Sequence, residues 1–250
     1  MDLGLTGQRA LITGGASGLG AELARVLVAE GAKVCINYRS REAEAEDLIA
    51  ELGAENCVAV KADLAVRADV DALFEGAVAG LGGLDILVNN AGVWLDCAIG
   101  GITDEQWDLS MEVNLRAPMW LTQYFINHCL AEGRKGRILN VTSQAAFRGS
   151  STGHVPYAIG KAGLVAMTRS LVREMGPNGI TINCLAIGTM ESPMIAQALA
   201  ERRELYEKRI PVGYIASPHD VATVAAFLVS QRSTYMSGAT VDVSGGQLRH

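Results

Sequence analysis

Short β-branched runs alternate with longer segments of helical period along the whole chain, and no other feature restricts its fold as tightly. Candidate strands are Arg9–Thr13, Lys33–Tyr38, Cys57–Lys61, Leu84–Asn89, Gly136–Thr142, Ile180–Leu185 and Ala239–Val243. Between them lie Leu19–Glu30, Arg41–Leu52, Ala68–Leu81, Glu105–Ala131, Pro156–Met175, Pro193–Lys208 and Pro218–Ser230, each long enough for two or more helical turns. Alternation of this kind argues for a parallel sheet with helices on both faces. Ala10-Leu11-Ile12 and Ile86-Leu87-Val88 are apolar throughout, as strands covered on both faces should be. Gly31, Gly53, Gly82, Gly83 and Gly179 fall just past helices, where a left-handed cap is expected. No linker, charge block or internal repeat divides the chain. The pattern predicts one α/β domain over residues 1–250, a doubly wound parallel sheet of about seven strands.

Composition decides what such a domain meets. At 49% hydrophobic and 19% charged, the chain is no disordered tail. Its 250 residues suffice to bury roughly three quarters of the unfolded surface without a disulfide or metal staple. Lys and Arg number 21 against 27 Asp and Glu, a net charge of −6 that suits neither nucleic acid nor an anionic bilayer. The longest apolar candidate, Val221 to Val229, contains Thr223 and falls far short of a membrane span. Met1 to Ala10 lacks a signal-peptide layout. The five cysteines are scattered and never in C-x-x-C spacing, so reduced thiols and no metal site are expected. These features point to a cytoplasmic protein acting on a small molecule.

Thr13-Gly14-Gly15-Ala16-Ser17-Gly18-Leu19-Gly20 stands where the first strand gives way to the first helix. A dinucleotide pyrophosphate needs a tight turn, close backbone approach and a helix N-terminus aimed at its charge. Gly14, Gly18 and Gly20 supply these because none carries a Cβ. The spacing is G-x-x-x-G-x-G, and no G-x-x-x-x-G-K-[ST] of a phosphate-hydrolysing loop occurs.

Tyr157 and Lys161 lie four residues apart on one face of a predicted helix. Alone the pair reads as surface residues; downstream of a dinucleotide loop it acquires a chemical purpose. Acid/base work near neutrality requires a phenol shifted by about three units, or about 4 kcal/mol, within reach of a nearby cation. Asn89-Asn90-Ala91-Gly92 follows the fourth strand, and Ser143 ends the fifth, fourteen residues before Tyr157. Ligands of open α/β sheets bind beyond the carboxyl ends of the strands, where these residues converge. Taken singly, Asn90 to Gly92 read equally as turn chemistry, Ser143 as a helix cap, and Asn114 as a solvated helix residue.

Together these motifs resemble the short-chain dehydrogenases/reductases over essentially the whole chain. The likeness extends to Asp63-Leu64 after the third strand, Met236-Ser237-Gly238 and Gly245-Gly246. It implies that Tyr157 is the general acid/base, that Lys161 lowers its pKa and bonds the nicotinamide ribose, and that Ser143 orients the substrate oxygen. Asn114 would hold a water linking Lys161 to solvent. The cofactor would lie along Gly14, Ser17, Gly18, Leu19 and Gly20, with Asp63 and Leu64 at the adenine and Asn90, Ala91 and Gly92 at the adenosine ribose. Gly188, Thr189, Met190 and Ser192 would meet the carboxamide. Two departures stand out: Ile187-Gly188 where the family often has P-G, implying a more mobile backbone, and Ser244-Gly245-Gly246 where D-G-G is usual.

Asn37 to Ser40, Ile210 to Ile215 and the Ser143-to-Tyr157 spacing are similar to the glucose 1-dehydrogenase branch. That implies oxidation of a sugar or polyol hydroxyl; the alternative is reduction of a small ketone, diketone or 3-oxoacyl group. A third reading, a nucleotide-binding protein without chemistry, conflicts with the intact Tyr157, Lys161, Ser143 and Asn114. Pocket-lining candidates are Val93–Leu95, Gln144–Ala146, Gly149–His154 and a lid over about 189–209; among them Trp94, Gln144 and His154 are the candidate substrate contacts. The second strand ends in Tyr38-Arg39-Ser40, with no carboxylate before Glu42. A guanidinium beside a hydroxyl makes a phosphate receiver, so NADP(H) is expected to be preferred with NAD(H) usable. The resemblance also implies a homotetramer, and the helix after Pro156 carries apolar residues on more than one face.

Overall fold

The computed structural model describes residues 2–150 and 153–248. Seven strands form one parallel sheet: β1 (Arg9–Ile12), β2 (Lys33–Tyr38), β3 (Cys57–Lys61), β4 (Ile86–Asn89), β5 (Gly136–Ser143), β6 (Ile180–Ile187) and β7 (Thr240–Val243). Their order is β3-β2-β1-β4-β5-β6-β7. Successive strands run leftward from β1 to β3 and rightward from β4 to β7, so a crevice opens between β1 and β4 at the carboxyl edge.

Side chains alternate across the sheet and build two cores. Ala10 and Ile12 of β1 pack on one face with α1 (Gly18–Ala29), α2 (Glu42–Leu52) and α9 (Pro218–Val229). Leu11 packs on the other with α3 (Arg67–Leu81), α5 (Ala117–Ala131) and α7 (Val155–Met175), the last preceded by the single turn α6 (Ala145–Arg148). The interior strands β1, β4 and β5 are almost wholly buried, as their apolar runs predict.

Two predicted helices are not continuous. The segment read as Glu105–Ala131 divides into α4 (Asp104–Met111), a π turn over Glu112–Arg116, and α5. The wider turn carries Asn114, whose amide leaves the helix to bond the backbone of Val93. Opposite this turn α7 needs glycine: a Cβ on Gly160 would lie 2.8 Å from Asn114 Cβ, and one on Gly163 2.8 Å from Leu115 Cδ1. The segment read as Pro193–Lys208 starts with a single 3₁₀ turn over Pro193–Ile195, after which α8 (Ala196–Glu207) is kinked at Arg202 (φ −141°). Its one buried residue, Leu199, joins Ile210 and Ile215 in a small satellite cluster, so no large core holds it straight.

Ile187, where the family often has proline, lies within the sheet. β6 runs on through Ile187, which pairs with Ser143 on one side and Val243 on the other.

Candidate active site

A cleft of about 510 Å³ opens beyond the carboxyl ends of β1 and β4. At its floor, Gly14 and Gly18 adopt left-handed backbone (φ 61° and 54°) that L side chains rarely tolerate. Gly20 does not line the cleft; a Cβ there would stand 2.4 Å from the Gly14 carbonyl oxygen, so its role is close packing of loop on helix. Gly15, which the motif did not single out, sits so near Ile36 that a Cβ would fall 2.6 Å from that side chain.

The loop is held by two residues to which the sequence reading gave no role of their own, Thr13 and Asn37. The Thr13 hydroxyl accepts the amides of Asn90 and Ala91, each at 3.0 Å. Asn37 accepts from the Gly14 amide at 3.2 Å and donates to the Ala62 carbonyl at 3.1 Å. Its signal was present: an asparagine directly after the apolar run Val34-Cys35-Ile36 and still within the strand is drawn into the interior, and a buried amide needs partners. Asn90 lines the cleft, but its amide donates to the Thr13 carbonyl (2.8 Å) and the Gly14 carbonyl (3.3 Å), so it braces the loop.

These residues fit a dinucleotide. Ser17 precedes α1 with its side chain making no cap to the helix, so the first amides of α1 and the Ser17 hydroxyl are left for an anion. Leu19, Asp63, Leu64, Ala91 and Gly92 line the same cleft. One Asp63 oxygen accepts from Ala65 N at 3.0 Å, leaving the other for an adenine amino group. At the end of β2, Tyr38, Arg39 and Ser40 line the rim. The Tyr38 hydroxyl donates to Glu42 (3.3 Å), which also pairs with Lys61 (3.2 Å), and Arg41 pairs with Glu44 (2.7 Å). Arg39 makes no ion pair among the described residues, so the rim keeps one uncompensated cation.

Tyr157 and Lys161 reach the cleft from the first turns of α7. Tyr157 is half-buried and hydrogen-bonded to the Ser143 side chain. Burial pushes the phenol upward, and the Ser143 bond works against it. Lys161 donates to the Val141 carbonyl at 2.9 Å, with its Nζ 5.8 Å from the Tyr157 ring centre. Burial brings the ammonium down to about 8, while Cys184 raises it. The ammonium gives one of its N–H donors to Val141, and burial is the largest influence on both groups. Asn114 accepts from Val93 N (3.1 Å) and donates to the Val93 carbonyl (3.0 Å) and Ser110 Oγ (3.1 Å). Its side chain therefore fixes the strand-four loop rather than facing open space. Gly92 permits this closeness, since a Cβ there would lie 3.0 Å from Asn114 Oδ1 and 3.3 Å from Lys161 Nζ.

The remaining candidates divide. Trp94 lines the cleft, and His154 lies behind it, stacked at 3.8 Å, with Nδ1 2.7 Å from the Leu95 carbonyl oxygen. His154 is a buried support for Trp94. Gln144, one residue from Ser143, has a buried Oε1 with no hydrogen-bond partner among the described residues. Met190 and Ser192 line the cleft, whereas Thr189 binds Gln247 through both its amide (2.8 Å) and its hydroxyl (3.2 Å). Gly188 packs on Ser244, 2.7 Å from its Cα if a Cβ were added. Of the stretch 149–154, Ser151 and Thr152 lie outside the described residues.

Comparison with known proteins agrees with this geometry. The family model described as enoyl-(acyl carrier protein) reductase matches residues 14–247. The chain is 38% identical over 242 residues to nodulation protein G of Rhizobium sp. (strain N33), covering 97% of each. The structure superposes on the angucycline C-6 ketoreductase LanV with bound NADP at a TM-score of 0.90 and 35% identity, covering 98% of this chain and 96% of that one. A 3-ketoacyl-(acyl-carrier-protein) reductase from Brucella melitensis complexed with NADH gives 0.91 and 35%, covering 98% and 100%. With the glycine loop, the Tyr157–Lys161 pair and the full-length likeness all in place, the chain belongs to the short-chain dehydrogenases/reductases, NAD(P)-dependent oxidoreductases.

Proposed function

We propose that the protein is a carbonyl reductase that prefers NADP(H) and turns a ketone on an apolar or acyl body into a secondary alcohol. The observation that carries this reading is the cleft wall, to which Trp94, Leu95, Met190, Pro193 and Met194 contribute apolar side chains. A sugar or polyol would bury several hydroxyls against that wall without partners, at about 1–3 kcal/mol each. The sugar dehydrogenase reading therefore has less support than the reductase one. Likeness to a ketoreductase and a ketoacyl reductase points the same way.

Bound nicotinamide dinucleotide supplies the hydride chemistry. Tyr157, its phenol held protonated by burial, gives its proton to the developing alkoxide, and Ser143 donates to the same oxygen. Lys161 presents its ammonium to the nicotinamide ribose, and Asn114 keeps Val93 and Gly92 in place beside it. Arg39 with Ser40 receives a 2′-phosphate. Residues 189–209 act as a lid over the substrate, and Gln144 Oε1 accepts a donor from it. The enzyme works in the cytoplasm, as a homotetramer covering the exposed Met119 and Leu130 of α5 and Ile159 of α7.

Initial rates with small ketones, diketones and 3-oxoacyl thioesters, against aldoses and polyols, each with both cofactors, test the assignment. The ketones should turn over with NADPH at least tenfold better than any polyol is oxidised. Efficient aldose oxidation with no ketone reduction would overturn it.

A further inference from the structure

Arg137, at the start of β5, is 5% exposed and has no carboxylate partner among the described residues. Its Nη1 donates to the Gly136 carbonyl (3.1 Å) and its Nη2 to Gln231 Oε1 (3.4 Å), while Nε finds no acceptor. This side chain lines a polar cavity of about 250 Å³ with Gln8, Asp85, Arg134, Lys135 and Gln231. The cavity lies at the amino ends of β1, β4 and β5, across the sheet from the cleft.

The charges around it do not balance. Asp85 is fully engaged: Arg9 Nε reaches it at 2.8 Å, Arg9 Nη2 at 3.0 Å and Arg134 Nη2 at 2.7 Å. Arg134 Nη1 also meets Glu132 at 3.7 Å, yet its buried Nε has no acceptor among the described residues. Neither Lys135 nor Arg137 has a carboxylate within ion-pair distance among the described residues. Two cations without a carboxylate partner thus line one cavity, and two guanidinium N–H groups of its lining residues are buried with no acceptor among the described residues, in a chain whose overall charge is negative. A buried guanidinium without a counter-charge is costly, and burial pushes the Arg137 pKa down accordingly.

We propose that this cavity is a second ligand site, binding a phosphate group through Arg137, Arg134 and Lys135. Guanidinium forks match phosphate oxygens, and a dianion neutralises both surplus cations. The volume exceeds that of the ion alone, so either inorganic phosphate or a small phosphate monoester is accommodated. Gln231 sets the demand: as a neutral amide it leaves the charge to be supplied from outside.

Thermal unfolding tests this with saturating NADP present, so that the glycine loop and Arg39 are already occupied. Inorganic phosphate should raise the wild-type midpoint saturably, by about 2–4 °C at roughly fivefold its dissociation constant. Gln231→Glu places a carboxylate beside Arg137; it should unfold at or above the phosphate-bound wild type and gain nothing from phosphate. Lys135→Ala, at an exposed position, should weaken the phosphate response severalfold without changing the phosphate-free midpoint. A glycerol 3-phosphate titration separates the sources: binding as tight as phosphate identifies a monoester site, and no binding identifies an inorganic ion site. Absence of a saturable phosphate shift, or an equal shift in Gln231→Glu, would overturn the proposal.

Discussion

The Lys161 ammonium donates to the Val141 carbonyl at 2.9 Å from a position only 3% exposed. The bond ties the middle of β5 to α7, and the burial that accompanies it brings the ammonium to about 8 instead of its ordinary 10.5. Between those values the folded protein binds fewer protons than the unfolded chain, so this group's effect on stability becomes more favourable as pH rises through the window. Cofactor binding should run the other way. The dissociation constant for NADPH, followed by fluorescence, should rise above about pH 8 as Lys161 loses its charge. In Lys161→Met that rise should be absent, with weaker binding throughout.

In the proposed mechanism Tyr157 moves the proton, and Ser143 is the side chain its hydroxyl meets. Tyr157→Phe should bind NADPH as wild type does and unfold within a few degrees of it. Turnover should drop by roughly 10²–10⁴, the usual contribution of a positioned acid/base. Stopped-flow or steady-state rates alongside cofactor titration check both halves.

Two residues at β2 should separate by cofactor. Arg39 faces solvent at the rim, so Arg39→Ala should raise KM for NADP by about tenfold to a hundredfold, consistent with roughly 1.5–3 kcal/mol for a charge-assisted bond, and leave NAD alone. Asn37 is 2% exposed and holds the Gly14 amide. Asn37→Ala should cost about 1–3 kcal/mol of stability through the partners left behind, and weaken both cofactors alike. Denaturant unfolding and paired KM measurements distinguish the two.

Gly20 fixes the distance between loop and helix. A Cβ there meets Gly14 backbone oxygen at 2.4 Å, and backbone cannot swing aside as a side chain can. Gly20→Ala should therefore weaken both cofactors about tenfold or more while far-UV circular dichroism stays that of wild type. Unchanged affinity would show that the loop tolerates the shift.

The order of strands and helices was legible in the chain because each local pattern had one outcome. Ile86-Leu87-Val88 has no polar face to offer water, so it becomes an interior strand, and Thr13 to Gly20 carries glycine where the backbone turns left-handed. Tyr157, Lys161, Ser143 and the glycine loop could be placed at the carboxyl end of the sheet for the same reason: each sits at a strand end or on a helix face whose register the sequence sets. What the tertiary structure alone decided is how these groups spend their hydrogen bonds. Lys161 turns to Val141, Asn114 to Val93, Thr189 to Gln247, and His154 to Leu95 behind Trp94. Each of those partners is distant in the chain, and burial, which exists only after the strands have packed, sets the protonation of Tyr157 and Lys161. Even Asn114, on the π turn, bonds a loop more than twenty residues earlier. Local spacing specifies where a side chain starts; only the packed fold specifies what it reaches.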